Sequence, residues 1–294
     1  MIFDAAVPPS RLAGHWEASL GVIVAAAILL LLFVQAFIRM RVRGRSDHAG
    51  FDRALLYVLA LAIGTLALLS PLDAAGEDYL LSAHMLQHVL IADAAPALAL
   101  VALRGPLVFF FLPAVILGPL ARLRPLRGVM RWLLRPPVSV AGWMLVIAVW
   151  HVPALYDVAL RNKGIHDLEH ALFIVVGVLV WTQIVDPARR GAPTLPQRLV
   201  IAVLLLAAGQ ILAYVYIFSF HALYPAYAHQ HHRVFGWSAV LDQQLAGVVM
   251  MSEQFLTLGT ATALLLFPYL RARGRDRRSA HQSQRGREQA PDSG

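Results

Sequence analysis

Twelve histidines stand in this chain of 294 residues, and cysteine is absent. Four of the histidines fall in two matching runs. Residues 84–88 read His84-Met85-Leu86-Gln87-His88, and residues 166–170 read His166-Asp167-Leu168-Glu169-His170. Both are H-x-L-[Q/E]-H. Residues four apart are neighbours on one face of a helix, so each run aims two imidazoles in one direction. Two such pairs, with no thiolate to compete, point to a histidine-ligated metal or haem. Gln87 and Glu169 fall within the same arc of about 100° and are candidates to ligate or to orient the imidazoles. The second run also fits H-x-x-E-H, a zinc-protease pattern in which Glu is the base. Its sister run carries glutamine there, which cannot act as a base, so proteolysis is disfavoured and the chain is read as non-enzymatic.

The elements that must position these residues are membrane helices. The chain is 59% hydrophobic and only 14% charged, where a soluble domain carries about 25% charged residues. The apolar residues come in blocks such as 20–37 and 199–218, long enough to cross a bilayer as helices. Seven spans are expected, at about 17–38, 54–70, 80–103, 137–153, 165–185, 198–220 and 242–268. The apolar stretch 106–121 is short and carries Pro106, Pro113 and Pro119. It reads as a re-entrant or interfacial segment that runs into the basic stretch 122–135, with an eighth span as the alternative. The expected fold is thus an all-α polytopic bundle over residues 1–270, followed by a disordered basic cytoplasmic tail, 271–294.

Charge sets the expected orientation. With seven spans, 21 of the 25 Lys and Arg residues fall on one side of the membrane. Basic residues stay in the cytoplasm, so the N-terminus is expected outside and the C-terminus inside, with the first span a retained anchor in a bacterial plasma membrane. The net charge of +8 is explained by these loops, and nucleic acid is not an expected partner.

On that topology ten of the histidines map to the outer loops or outer helix ends: His15, His84, His88, His151, His166, His170, His221, His229, His231 and His232. His48 and His281 fall on the other side. The loop histidines, His231 among them, read as solvated residues. His151, in Trp150-His151-Val152-Pro153, shares the depth of the two pairs and is a further candidate ligand. Asp242 opens the last span and is expected to orient the ligands, as are Gln87 and Glu169. Met85, Met250 and Met251 read first as packing residues, but a thioether near histidines favours copper(I). The outer aqueous side is also where copper would be received or handed over. Haem remains an alternative, as does a copper transporter with a polar path past Asp93 and Glu253, two ionisable groups inside spans.

Four segments together resemble the CtaG-type cytochrome c oxidase assembly proteins, a polytopic family of bacterial membranes. They are His84 to His88 with Pro96 following, Trp150-His151-Val152-Pro153 with Tyr156-Asp157, His166 to His170 with Trp181 downstream, and Asp242-Gln243-Gln244 with Gly247 and Met250. They span most of residues 80–255. The resemblance implies a seven-helix assembly factor for haem–copper oxidase that supplies copper, with oxidase subunits or other assembly factors as partners. A single-span copper chaperone of the same name uses cysteine ligands, which this chain lacks. The reading is then a copper site of His84, His88, His151, His166 and His170, with Gln87, Glu169, Asp242 and Met250 around it.

Overall fold

A computed structural model describes residues 7–189, 191 and 193–288, with side chains as far as Arg275. The described residues form helices and no strand. The long ones are α1 (Leu20–Val42), α2 (Phe51–Leu69) and, after the short α3 (Pro71–Asp78), α4 (Leu81–Leu103). Three short helices follow: α5 (Pro106–Phe111), α6 (Ala114–Arg122) and α7 (Arg124–Leu133). Then come α8 (Pro136–Trp150), α9 (Pro153–Arg161), α10 (Lys163–Val185) and α11 (Leu195–Phe218). After α12 (Pro225–Ala228), the last helix, α13, runs from Ala239–Gln254 through a π turn at Phe255–Gly259 into Thr260–Glu288.

Six of these helices are long and apolar enough to cross a membrane, and a seventh span arises if α7 and α8, bent by 74°, are taken as one. The chain is thus a polytopic helical membrane protein. The fourth expected span is the short one. Its helix α8 has 15 residues, about 22 Å of rise against a hydrocarbon core of about 30 Å. Pro153 ends it, because a proline has no N–H to continue the ladder and instead opens α9. The 106–121 segment is broken at Pro113 into α5 and α6, neither long enough to span. The last helix, α13, is described as far as Glu288. Residues 289–294 lie outside the described ones.

Lipid as solvent explains the surface. α1 exposes Leu20, Ile23, Val24, Ile28, Leu31 and Ile38. In water such a patch would be an association site, whereas against acyl chains it is matched. α4 and α10 are the opposite, with over half of their apolar windows enclosed by other helices. They form the axis of the bundle. Their close approach is set by Gly177, where a Cβ would lie 1.9 Å from the Ala92 carbonyl oxygen. That carbonyl belongs to a π turn in α4, Leu90–Ala94. One end of the axis, toward the starts of α4 and α10, carries the histidines. The opposite half is packed by Val140, Trp143, Val180, Ile184, Ile201, Leu205, Leu258 and Leu265.

Candidate metal centre

His84, His88, His166 and His170 are all buried, and each offers a ring nitrogen lying within 4.8 Å of the other three. The Nε2 atoms of His84 and His88 are 2.8 Å apart, and those of His84 and His166 are 3.3 Å apart. Four nitrogens bound tetrahedrally to one ion at about 2.0–2.1 Å sit about 3.3–3.4 Å from each other. The cluster therefore matches a single-ion site to within about 1.5 Å.

Hydrogen bonding assigns the tautomers. The Tyr227 hydroxyl donates its only proton to the Gly76 carbonyl oxygen at 2.7 Å. The His84 Nδ1, 3.0 Å from that hydroxyl, must then be the donor, which leaves a lone pair on His84 Nε2. His166 Nδ1 donates to the Glu77 carboxylate at 2.7 Å, so its Nε2 also presents a lone pair when the ring is neutral. Two acceptors thus face one another across 3.3 Å, and a cation between them would relieve their repulsion. A carboxylate behind a histidine is also the usual outer support of a metal-bound imidazole, fixing its orientation and raising its basicity. Two further nitrogens, His88 Nδ1 and His170 Nε2, are buried without a partner.

Each helix is held so that its pair meets the other. α4 begins after Leu80 with no side-chain cap of its own. Asp242 of α13 supplies one, accepting from the backbone N–H of Leu81 at 2.7 Å and of Ser82 at 3.2 Å. α10 is capped by the Asn162 side chain, which accepts from the Ile165 N–H. α3 folds back on α4 because residue 76 is glycine: a Cβ there would lie 2.9 Å from the Cα of His84. That approach carries Glu77 to His166.

The remaining candidates take other places. Gln87 points away from the imidazoles and donates to the Ala67 carbonyl at 3.0 Å and to Asp73. Burial, then the charge of Glu77, push the Asp73 carboxyl up to about 6. Glu169 lies on the cluster itself, 3.9 Å from His88 Nε2, with both oxygens buried and without a hydrogen bond. His151 is outside the four-nitrogen group. Its Nδ1 donates to the Ile147 carbonyl at 2.8 Å, and its ring stands 6.3 Å from that of Phe173, which in turn packs against His88. His151 and His88 do line one cavity of about 30 Å³, with Met85 and Met250 also in its wall. Met250 packs among Tyr156, Tyr216, Tyr224 and Tyr227. The loop residues His221, His229, His231 and His232 are exposed, and His15 pairs with Glu17 at 3.9 Å.

Glu77, Asp73 and Tyr227 were not singled out from sequence. Glu77 and Asp73 stand on the short helix α3 and Tyr227 on α12; Glu77 is 89 residues from His166 and Tyr227 143 from His84, so no periodicity reveals these contacts. The acidic pattern of α3, Asp73 and Glu77 at i,i+4 beside a histidine run, was the available signal.

Comparison with curated proteins and with solved structures finds no match. Residues 31–272 match the cytochrome c oxidase caa3 assembly factor family. With a match over most of its length, and with the four motif segments inside it, the chain belongs to that family of oxidase assembly factors.

Proposed function

We propose that this assembly factor holds one copper ion in the four-histidine site, at the outer surface of a bacterial plasma membrane, and passes it to the oxidase or to another assembly factor. The observation that carries the reading is the convergence of four buried imidazole nitrogens within 4.8 Å. The chemistry of the donor set fits a borderline or soft cation, since imidazole suits copper and zinc and poorly suits calcium or magnesium. Met85 and Met250, buried at the same end, favour copper over zinc. The concentration of arginines in the loops away from the histidines supports a site on the outer side.

In this reading the chain acts by holding and releasing, with no bond made or broken in a substrate. Glu77 and Tyr227 fix two of the four imidazoles. Glu169 brings a negative charge to a buried cation that would otherwise be costly. Transport is the weaker alternative, because an apolar cluster that includes Val140, Ile184, Ile201 and Leu265 packs the bundle beyond Asp93 and Glu253. Haem is weaker still: five of the six pairs among the four imidazoles have centroids 4.1–6.3 Å apart, and a porphyrin does not fit among rings that close.

The test is metal analysis of protein purified from copper-supplied cells, wild type beside a His84→Ala/His170→Ala double variant. One copper per chain in the wild type, none in the variant and equal helicity by circular dichroism support the reading. Equal copper in both, or a haem absorption band in the wild type, overturns it.

A further inference from the structure

Below the histidines, two carboxyls meet inside the bundle. Asp93 stands in the π turn of α4, and Glu253 stands one residue before Gln254, where α13 enters its own π turn. Thr257, one turn beyond Glu253 on α13, joins them: its hydroxyl lies 3.1 Å from the Glu253 carbonyl oxygen and 3.3 Å from Asp93 Oδ2, although 160 residues separate the two acids. Asp93 is only 9% exposed and accepts from the Trp181 indole N–H and from the Thr257 hydroxyl at 3.3 Å. Glu253 is 8% exposed, and both of its carboxyl oxygens are buried. Trp181 of α10 and Thr257 of α13 bond Asp93, and Gln254, which lines one cavity with Asp93, accepts from Gln210 of α11 at 3.1 Å. Among the described residues no lysine or arginine acts on either carboxyl.

Two carboxyls in contact, away from water and without a cation, cannot both be ionised; such a pair holds a proton between them. Ionisable groups at this depth mark ion or proton pathways, and π turns recur at functional sites. The route is visible on one side only. Asp93 and Gln254 line the same cavity as His88 and His151, and its roughly 30 Å³ is room enough for a water molecule. His88 and Asp93 are five residues apart on α4, about 7–8 Å of helical rise. On the other side Trp181, which bonds Asp93, belongs with Leu258, Val180 and Leu205 to the apolar core.

We propose that Asp93 and Glu253 form a proton-exchange site that opens toward the four histidines, and that it gives up one proton when a cation binds there. The cation's field favours the doubly ionised pair. The shared O–H bond breaks, the proton passes through the cavity to the histidine end, and the two carboxylates remain as countercharge, held by Trp181 and Thr257. Release of the cation draws a proton back. The inference rests on the metal reading above and adds what the buried acids do in it.

The experiment counts protons. Full-length protein in lipid nanodiscs, in weakly buffered medium with a pH-indicator dye, is titrated with cuprous ion supplied from a weak chelator. Bound copper is measured in the same samples. The expected result is that the wild type releases about one proton more per bound ion than Asp93→Asn/Glu253→Gln, which still binds copper, about tenfold more weakly. Should the double variant not fold, Glu253→Gln alone serves, because the amide keeps the shape of the carboxyl and leaves Asp93 with its bonds to Trp181 and Thr257, and carbodiimide labelling of Glu253 in the wild type gives a second readout. Glu253 should be labelled without copper and protected with it. Equal proton counts in wild type and variant, or labelling indifferent to copper, overturn the proposal with copper binding intact. A wild type that binds no copper overturns the metal reading itself and this inference with it.

Discussion

Residues 84–88 are enclosed by other helices, whereas residues 166–170 keep one face on the surface, with Asp167 and Leu168 exposed. The two runs share a pattern and are set up differently. In the first, the third polar residue, Gln87, turns from the imidazoles to bind Ala67 and Asp73, and Asp242 caps the helix start. In the second, the equivalent residue, Glu169, turns toward His88 and has no hydrogen bond of its own. The glutamine run is a clamp that fixes α4 against α2, α3 and α13. The glutamate run supplies the charge. A motif therefore gives the direction of its histidines but not the task of the residue between them, which depends on what the neighbouring helix offers.

Breaking either run at its histidines should have the largest effect. His88→Ala is expected to lower metal affinity by about 100-fold or more, since losing even an outer support typically costs about 10–100-fold; competition with a chelator of known affinity measures it. Next, Glu77→Gln should weaken binding by about 10–100-fold, because it removes the charged acceptor behind His166 while leaving the ligand in place. Helicity should be unchanged.

Asp242→Ala tests the clamp rather than the metal. It leaves two buried N–H groups and the Ser82 hydroxyl without their acceptor, at a cost of about 1–3 kcal/mol for the first unmade bond alone. The melting temperature of metal-free protein should fall, and by more than in Glu169→Gln, which has no bond to break. A variant pair with the opposite order would reverse the contrast drawn between the two runs.

The smallest effect is on pH dependence. Burial and Glu77 raise the Asp73 carboxyl in the folded protein to about 6, above its usual value near 4. The folded state then binds more protons than the unfolded one between about pH 4 and 6, so this group's stabilising contribution is full below that range, declines through it and is lost above it. Asp73→Asn, which can still accept from Gln87, should remove that slope. Denaturation at pH 4.5 and 6.5 compares the two proteins.

Much of this was legible in sequence for physical reasons. The spans follow from apolar blocks that only lipid can solvate, and the aim of each histidine pair follows from the helical repeat. Other parts were not. α8 fell short of a full span because Pro153 stops it, a limit that hydropathy does not register. Asp242 lies at the depth of the ligands, but it binds backbone N–H groups and touches none of the imidazoles. His151 shares their depth as well, and its own helix turns it to the Ile147 carbonyl. Asp93 and Glu253 each stood alone in the sequence, since their contact depends on how α4 and α13 pack.

X-ray absorption of copper-loaded protein in lipid tests the central claim most directly. The account predicts three to four nitrogen or oxygen neighbours at about 2 Å, with the multiple-scattering signature of imidazole, and loss of that signal in the His84→Ala/His170→Ala variant. A copper shell dominated by sulfur, or an imidazole shell that survives in the double variant, would contradict it.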